Sequence, residues 1–192
     1  MPLSESEVLE LFRQTGAFLE GHFQLSSGLH SSKYLQCALV LQHPRHAEAL
    51  GRALAALVRM EADVVVSPAM GGLIIGHEVA RALGVRHIFA ERDPARRMTL
   101  RRGFRIAPGE RALIVEDVIT TGGSSLEVAE LLRGLGAQVA GAASIIDRSG
   151  GAADLGVPRV ALATLAVEAW PPEQCPLCAQ GLPVEKPGSR AL

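Results

Sequence analysis

A strand–turn–helix pattern repeats through the middle of the chain and limits the fold more than any other feature. The runs DVVVS (63–67) and ALIVE (112–116) are almost wholly apolar, as strands are when both faces of their sheet are covered. Strands alternating with helices at this spacing predict βαβ units, and therefore an α/β fold with a parallel sheet flanked by helices. The five predicted strands are 63–67, 86–91, 112–116, 138–146 and 160–165.

The two ends of the chain differ from this core. Residues 4–13 predict a helix that starts with Ser4 as N-cap and Glu7 three residues later. Residues 21–43 predict short strands around a turn, and Pro44 opens the next helix. The tail from Trp170 holds five of the eleven prolines. We predict one domain: helix and hood (1–43), α/β core (44–168) and Pro-rich tail (169–192).

Charge and hydropathy argue against several classes of protein. The 19 basic and 20 acidic residues nearly cancel, whereas a dedicated nucleic-acid binder is usually strongly basic. No apolar run reaches the roughly 20 residues of a membrane helix, and the first residues lack the pattern of a secretory signal. The chain has three cysteines, which without such a signal suggest a reducing compartment. We therefore expect a cytoplasmic protein without a nucleic-acid or membrane partner.

The segment ALIVEDVITTGGSS (112–125) carries the clearest chemical signal. Its strand ends in Glu116 and Asp117, beyond which ligands of an open parallel sheet bind. The glycines let the backbone approach a ligand, and amides at a helix N-terminus form a cup for a phosphate. Carboxylates accept hydrogen bonds from sugar hydroxyls. The segment therefore predicts a site for a ribose 5-phosphate, although an ordinary capped turn with solvated acids is the simpler alternative.

This segment resembles the signature of the type I phosphoribosyltransferases, and the resemblance extends over the chain. GHFQLSSGLHSSKYLQ (21–36) resembles the N-terminal hood of the orotate phosphoribosyltransferases, and SPAMGGLIIGHEVARALG (67–84) resembles their pyrophosphate-side loop. The tail CPLCAQGLPVEKPGSR is similar to tails of bacterial and archaeal members. The resemblance implies Mg²⁺-dependent transfer of ribose 5-phosphate from 5-phosphoribosyl 1-pyrophosphate (PRPP) to orotate, giving orotidine 5′-phosphate and pyrophosphate in pyrimidine synthesis.

The resemblance also implies roles for individual residues on the PRPP side. Arg96 and Asp117 are implied to be catalytic, and Mg²⁺ is expected to arrive with PRPP without a firm protein ligand. Backbone amides of the pyrophosphate loop are implied at Ala69, Met70, Gly71 and Gly72, with Ala69 on a strained peptide. The implied PRPP-binding residues are Arg92, Arg96, Arg97, Glu116, Asp117, Val118, Ile119, Thr120, Thr121, Gly122, Gly123 and Ser124.

On the base side the resemblance implies contacts from Thr120, Arg148, Ser26 and Tyr34. A guanidinium pairs bidentately with a carboxylate, which suits Arg148 and orotate; pairing with Asp147 is the alternative. Ser26 stands where some relatives have a lysine, so its contact is expected from a hydroxyl or backbone group. Tyr34 is predicted either to stack on the pyrimidine or to pack in the core.

The segment RDPARRMTLRRGFR (92–105), here called the arginine loop, departs from the family pattern. Relatives supply lysines and a histidine from a mobile loop, often across a dimer interface. This chain has no lysine between Lys33 and Lys186 and no histidine after His87. Because arginine stays charged, the loop can neutralise a departing pyrophosphate but is a poor acid or base. A homodimer sharing this loop is the implied assembly.

Three other functions remain open from the sequence. Six arginines in the loop would suit a nucleic-acid patch, but only Phe104 is interleaved for stacking. A phosphoribosyltransferase for a purine is the near alternative, although a purine has no carboxylate for Arg148. A PRPP-sensing regulator without turnover is the third, but no convincing helix-turn-helix precedes the core.

Cys175 and Cys178 form a C-x-x-C pair in the tail. A structural zinc needs four ligands, and the sequence shows no second cysteine pair and no histidine near this one. We therefore expect two reduced cysteines in a turn and no metal, with a site shared across a dimer as the alternative.

Overall fold

The computed structural model describes residues 3–25 and 27–187, and a six-stranded sheet forms its centre. The strand order is β5-β4-β3-β6-β7-β8, and β3, β4, β6, β7 and β8 are parallel. The α/β fold with a parallel sheet is thus confirmed, with β5 added antiparallel at the edge. These strands are β3 (Val64–Pro68), β4 (Arg86–Arg92), β5 (Met98–Leu100), β6 (Arg111–Ile119), β7 (Gln138–Asp147) and β8 (Arg159–Thr164).

Helices cover both faces of this sheet. Side chains alternate along β3, so that Val65 packs with the helices of one face while Val64 and Val66 pack with the other. The first face is covered by α1 (Glu5–Gln14), α2 (Cys37–Leu41), α3 (Pro44–Leu57) and α4 (Gly72–Leu83), and the second by α5 (Gly123–Gly134). No helix in the described part of the chain is long and apolar enough to cross a membrane.

A second, three-stranded sheet forms the hood. It joins β1 (Phe18–Gln24) and β2 (His30–Leu35) as an antiparallel pair, and β9 (Ala169–Trp170) from the tail pairs with β2. After β9 the tail forms a short 3₁₀ turn (Pro172–Gln174) and α6 (Pro176–Ala179). The hood therefore combines strands from the N-terminal segment with a strand from the tail, whereas the sequence assigned it to the N-terminal segment alone.

Local signals explain several element boundaries. Ser4 and Glu7 make the expected capping box at the start of α1, with both reciprocal hydrogen bonds present. Pro44 occupies the first turn of α3, where its missing N–H costs nothing. Gly84 ends α4 with a φ of 72°, a left-handed conformation that glycine adopts without steric cost.

Candidate active site

The centre of the site lies where β6 meets α5. Gly122 stands at the N-cap of α5 with a φ of 80°, and a Cβ there would lie 2.5 Å from Leu155 Cδ2. Both the positive φ and the close approach to Leu155 require glycine at this position. The turn that results directs the first amides of α5 beyond the end of the sheet. Residues 120–124, here called the phosphate cup, thus present helix N-terminal amides and hydroxyl groups suited to a phosphate.

A cavity opens above the phosphate cup. Eight of its nine lining residues are ones that the family resemblance assigns to PRPP. The ninth, Glu127, was not predicted, although it follows Gly123 by one helical turn and so shares its face of α5. The lining residues are Arg92, Glu116, Val118, Thr120, Thr121, Gly122, Gly123, Ser124 and Glu127.

Glu127 holds Arg92 at the edge of this cavity. The two Nη atoms of Arg92 donate to the carboxylate of Glu127 at 2.7 and 3.0 Å. Nη1 also donates to the carbonyl oxygen of Arg96 at 2.5 Å. The structure therefore presents Arg92 as a fixed cation beside the phosphate cup, in a fork geometry that also suits a phosphate.

Two carboxyl groups at the end of β6 lie largely out of solvent. Glu116 accepts a hydrogen bond from Ser125 Oγ at 2.5 Å, and burial raises its pKa to about 7, with the charge of Asp117 adding to the rise. Burial also raises the pKa of Asp117, whose Oδ1 accepts the N–H of Val118 at 2.9 Å. Near neutral pH, Glu116 can therefore donate as well as accept a hydrogen bond toward a sugar hydroxyl.

The pyrophosphate loop (69–72) packs against Asp117. A Cβ on Gly71 would lie 2.6 Å from Asp117 Oδ1, and one on Gly72 would lie 2.7 Å from the carbonyl oxygen of Val115. The peptide bond between Ala69 and Met70 is cis. The amide of Ala69 donates to the carbonyl oxygen of Ala90 at 2.8 Å, so this N–H is used within the fold and is not available to a pyrophosphate. Glycine at both positions lets this loop lie directly beside the end of β6.

Arg148 follows β7 beside the phosphate cup. Its amide donates to the carbonyl oxygen of Ile119 at 2.7 Å, which places it next to Thr120. Burial lowers the pKa of its guanidinium, and Tyr34 lies close enough to influence it. Its buried Nε has no hydrogen-bond partner among the described residues. A partly desolvated guanidinium with an open donor is suited to an anionic ligand.

The alternative role for Arg148, an ion pair with Asp147, is wrong. Asp147 pairs with Arg159 at 2.5 Å and accepts hydrogen bonds from the hydroxyl and amide of Ser149 at 2.6 and 2.8 Å. These partners occupy the Asp147 carboxylate and leave the Arg148 side chain for another ligand.

Tyr34 lies on β2 in the hood, and its surroundings combine features of the two predicted roles, packing in the core and contact with the base. Its ring packs at 5.9 Å from that of Phe23, while burial raises the pKa of its hydroxyl and the nearby charge of Arg148 opposes the rise. Tyr34 thus brings the hood close to Arg148. Ser26 lies outside the described residues.

The arginine loop (92–105) starts with the tight turn between β4 and β5, includes β5 and extends beyond it. Its turn is closed by the amide of Asp93 donating to Arg97 and by the amide of Arg96 donating to Asp93. Arg97 binds the carboxylate of Asp93 through Nε and Nη2. Arg101 and Arg102 pair with Glu91. Arg96 is exposed and makes no ion pair with a described residue.

Four of the predicted PRPP-binding residues do not line the cavity, namely Arg96, Arg97, Asp117 and Ile119. The side chain of Ile119 is buried in the core and is therefore not available to PRPP. The carbonyl oxygen of Ile119 already accepts a hydrogen bond from the amide of Arg148. Arg97 is engaged within its own hairpin. The end of β6 alternates between core and site, which explains why a continuous assignment from 116 to 124 included one core residue.

The expectation that no histidine lies near Cys175 and Cys178 is wrong. His22 and His30 from the hood lie beside both cysteines, because β1, β2 and the tail meet in the hood sheet. Sequence separation concealed this proximity.

Comparisons with known proteins agree with this geometry. Residues 38–161 match the phosphoribosyl transferase domain family. The orotate phosphoribosyltransferase of Pelotomaculum thermopropionicum is 58% identical over 99% of this chain and 100% of its own length, and that of Heliobacterium modesticaldum is 53% identical over 98% and 100%. The crystal structure of orotate phosphoribosyltransferase from Aeropyrum pernix superposes with a TM-score of 0.69 at 28% identity, covering 82% of this chain and 93% of that one.

The likeness thus extends beyond the domain match to nearly the whole chain, including the hood and tail that distinguish this protein from a bare α/β core. A phosphate cup after β6, a guanidinium after β7 that makes no ion pair with a described residue, and full-length relatives all lead to the same assignment. The chain belongs to the orotate phosphoribosyltransferases, a branch of the phosphoribosyl transferase domain family of pentosyl-transferring enzymes.

Proposed function

We propose that this protein transfers ribose 5-phosphate from PRPP to orotate with Mg²⁺, releasing pyrophosphate and forming orotidine 5′-phosphate for UMP synthesis. The substrates follow from its relatives, which are orotate phosphoribosyltransferases over their full lengths. The observation that carries the choice of base is Arg148, a partly desolvated guanidinium whose Nε lacks a described partner. Orotate supplies a carboxylate for it, whereas adenine and hypoxanthine do not.

The phosphate cup suits the 5-phosphate of PRPP, with Arg92 adding a cation at the edge. Glu116 and Asp117 lie between the phosphate cup and the pyrophosphate loop, where ribose hydroxyls would meet carboxyl groups. This arrangement supports a ribose lying across the end of β6, with its anomeric carbon toward the base side. In the reaction the bond from this carbon to pyrophosphate breaks and a bond to an orotate nitrogen forms.

The oxygen-rich surroundings also fit Mg²⁺, which prefers oxygen ligands and keeps several waters. Glu116 and Asp117 would hold the ion largely through those waters, and PRPP oxygens would complete its coordination. When bound, the ion neutralises charge on the departing pyrophosphate. Carboxylates at the end of β6 also stabilise positive charge that develops on the ribose.

The arginine loop supplies further positive charge for the leaving group. Arg96 is exposed and does not line the cavity of its own chain. This position supports a homodimer in which the loop of one subunit reaches the site of the other. Its arginines would act as fixed cations there, because they do not exchange protons near neutral pH. The free thiols of the described cysteines and the substrates suit the cytoplasm.

Mixing the purified protein with PRPP, Mg²⁺ and orotate tests the proposal through the loss of orotate absorbance. Adenine, hypoxanthine and uracil serve as parallel substrates, and one reaction omits Mg²⁺. We expect turnover of orotate alone, dependent on Mg²⁺. Turnover of a purine would contradict the role of Arg148, and PRPP binding without turnover of any base would favour a regulator.

A further inference from the structure

The hood and the tail together bring four metal-ligating side chains to one point. His22 lies on β1, His30 begins β2, Cys175 precedes α6 and Cys178 lies within it. One ligand atom from each lies within 4.8 Å of all the others. Two nitrogens and two sulfurs form the donor set that Zn²⁺ occupies in structural sites.

The separations between these atoms suit a tetrahedral ion. Zn–N and Zn–S bonds of about 2.0 and 2.3 Å place neighbouring ligand atoms roughly 3.3–3.8 Å apart. His22 Nε2 lies 3.4 Å from Cys175 Sγ and 3.6 Å from Cys178 Sγ, and His30 Nδ1 lies 3.2 Å from Cys178 Sγ. The two ring nitrogens are 2.9 Å apart. The four groups thus need only small shifts to surround one ion.

Hydrogen bonds alone account poorly for this arrangement. His22 Nδ1 lies 2.9 Å from the carbonyl oxygen of Leu182. This oxygen can only accept a hydrogen bond, so Nδ1 carries the proton of the neutral ring and Nε2 carries the lone pair. Three polar atoms converge on that single lone pair. The Leu182 contact is also the support that metal-bound histidines usually have, because it fixes the tautomer and the ring orientation.

Burial and charge favour an ion at this point as well. His22, His30 and Cys175 are buried, whereas Cys178 is exposed and leaves a path for entry. Zn²⁺ with two thiolates and two neutral imidazoles is electrically neutral, so the buried site would carry no net charge.

Among the described residues, few backbone pairs and few buried apolar side chains join the tail to the hood. The tail pairs with the hood through two residue pairs of β9 and a single bridge between Phe23 and Glu185. Most tail side chains are exposed, including Leu182 and Val184. Small units with few buried apolar side chains depend on a cross-link such as a structural metal.

We propose that His22, His30, Cys175 and Cys178 bind one structural Zn²⁺ that fastens the C-terminal tail to the hood. The ion lies apart from the phosphate cup and takes no part in the transfer reaction. Its effect on the reaction is indirect, because His22 and His30 flank the hairpin turn that follows β1. The proposal stands or fails separately from the assigned activity.

Metal analysis of protein purified under reducing conditions, without a metal-binding tag, tests the proposal. We expect about one zinc per chain in the wild type, by the ligand count of a closed site. Cys178→Ser should lose it, and because Cys178 is exposed this variant should fold. His30→Asn is a second ligand variant. Cys37→Ala is the matched control, since Cys37 is a free thiol in the core far from the tail in sequence.

Cobalt substitution and chelation distinguish a metal site from a pair of cysteines that bind no metal. Co²⁺ added to the metal-free wild type should give the visible bands of a tetrahedral site and a thiolate charge-transfer band, both absent in Cys178→Ser. Chelation should lower the Tm and speed proteolysis of the tail in the wild type and in Cys37→Ala only. Equal zinc contents in the wild type and both ligand variants, or no thiolate band with Co²⁺, would overturn the proposal.

Discussion

The two halves of the proposed active site are built in different ways. The PRPP half comes mainly from one stretch of chain, in which β6, the phosphate cup and the start of α5 follow each other directly. The base half combines Arg148 from the end of β7 with Tyr34 from the hood, whose sheet is completed by β9 from the tail. A contiguous turn fixes the first half, whereas the second half depends on the hood packing correctly over the core.

This difference separates affinity for PRPP from selection of the base. Helix amides and glycine geometry in the phosphate cup are available as soon as β6 and α5 pair. The base half needs contacts between segments more than 100 residues apart, such as the Ser31 hydroxyl donating to the carbonyl oxygen of Glu168 at 2.9 Å. Variants on the two halves should therefore change different kinetic constants.

Arg148→Ala should produce the largest and most selective effect. Loss of a charge-assisted bidentate contact is expected to raise KM for orotate about 100-fold, while KM for PRPP changes less than about threefold. Steady-state kinetics with each substrate varied in turn measures both constants. Arg148→Lys, which keeps the charge without the fork, should fall between the wild type and the alanine variant. Equal loss for both substrates would remove the distinction between the two halves.

Arg96→Ala should lower kcat while leaving KM for orotate nearly unchanged. A fixed cation that acts on the leaving group stabilises the transition state more than the ground state, so a loss of about 30-fold in kcat is expected. Arg105→Ala is the matched control, because Arg105 is also exposed and free of ion pairs among the described residues. Wild-type turnover in Arg96→Ala would remove Arg96 from the mechanism.

The same contrast explains how much of the fold was predictable. The capping box of α1, strand β3 to within one residue at each end, and the phosphate cup depend on residues that are close in sequence, and they were predicted. Strand β5 was missed because its three residues pair only with β4 across the hairpin. Strand β9 was missed because two residues among prolines become a strand only beside β2.

The candidate site was predictable to the same extent. Seven of the nine residues that line the cavity come from one motif, and the family resemblance identified all nine except Glu127. The side chain of Ile119 was misassigned because alternation along β6 continues into the motif. The Cys/His cluster was missed because its histidines and cysteines are brought together only by the pairing of hood and tail, about 150 residues apart in sequence.

Gly122→Ala tests the local geometry of the phosphate cup. The left-handed conformation and the approach to Leu155 should together cost about 2 kcal/mol of unfolding free energy. Gly123→Ala is the matched control, because its Cβ would meet only Thr121 Oγ1 at 3.7 Å and alanine favours a helix. Urea unfolding of the ligand-free proteins measures both. Equal stability of the two variants would mean that Gly122 is not required by the turn.

Glu116→Gln should have the smallest effect, and one that depends on pH. The raised pKa of Glu116, about 7 against a usual 4.5, means that its contribution to stability is complete below pH 4.5 and is lost as the pH rises through 7. The glutamine variant should therefore gain stability relative to the wild type between pH 5 and pH 8, by about 1 kcal/mol after allowance for partial exposure.

Urea unfolding of the ligand-free wild type and variant at both pH values measures this gain. His87 titrates in the opposite sense, since burial lowers its pKa to about 4 and its contribution is lost as the pH falls. That effect is common to both proteins and cancels in the difference. Glu130→Gln, on the exposed side of α5, is the control for removing a negative charge. A difference between Glu116→Gln and wild type that is the same at pH 5 and pH 8 would contradict the raised pKa, because it would show that Glu116 is already ionised at pH 5. Glu116 would then accept hydrogen bonds from a ribose hydroxyl but could not donate one.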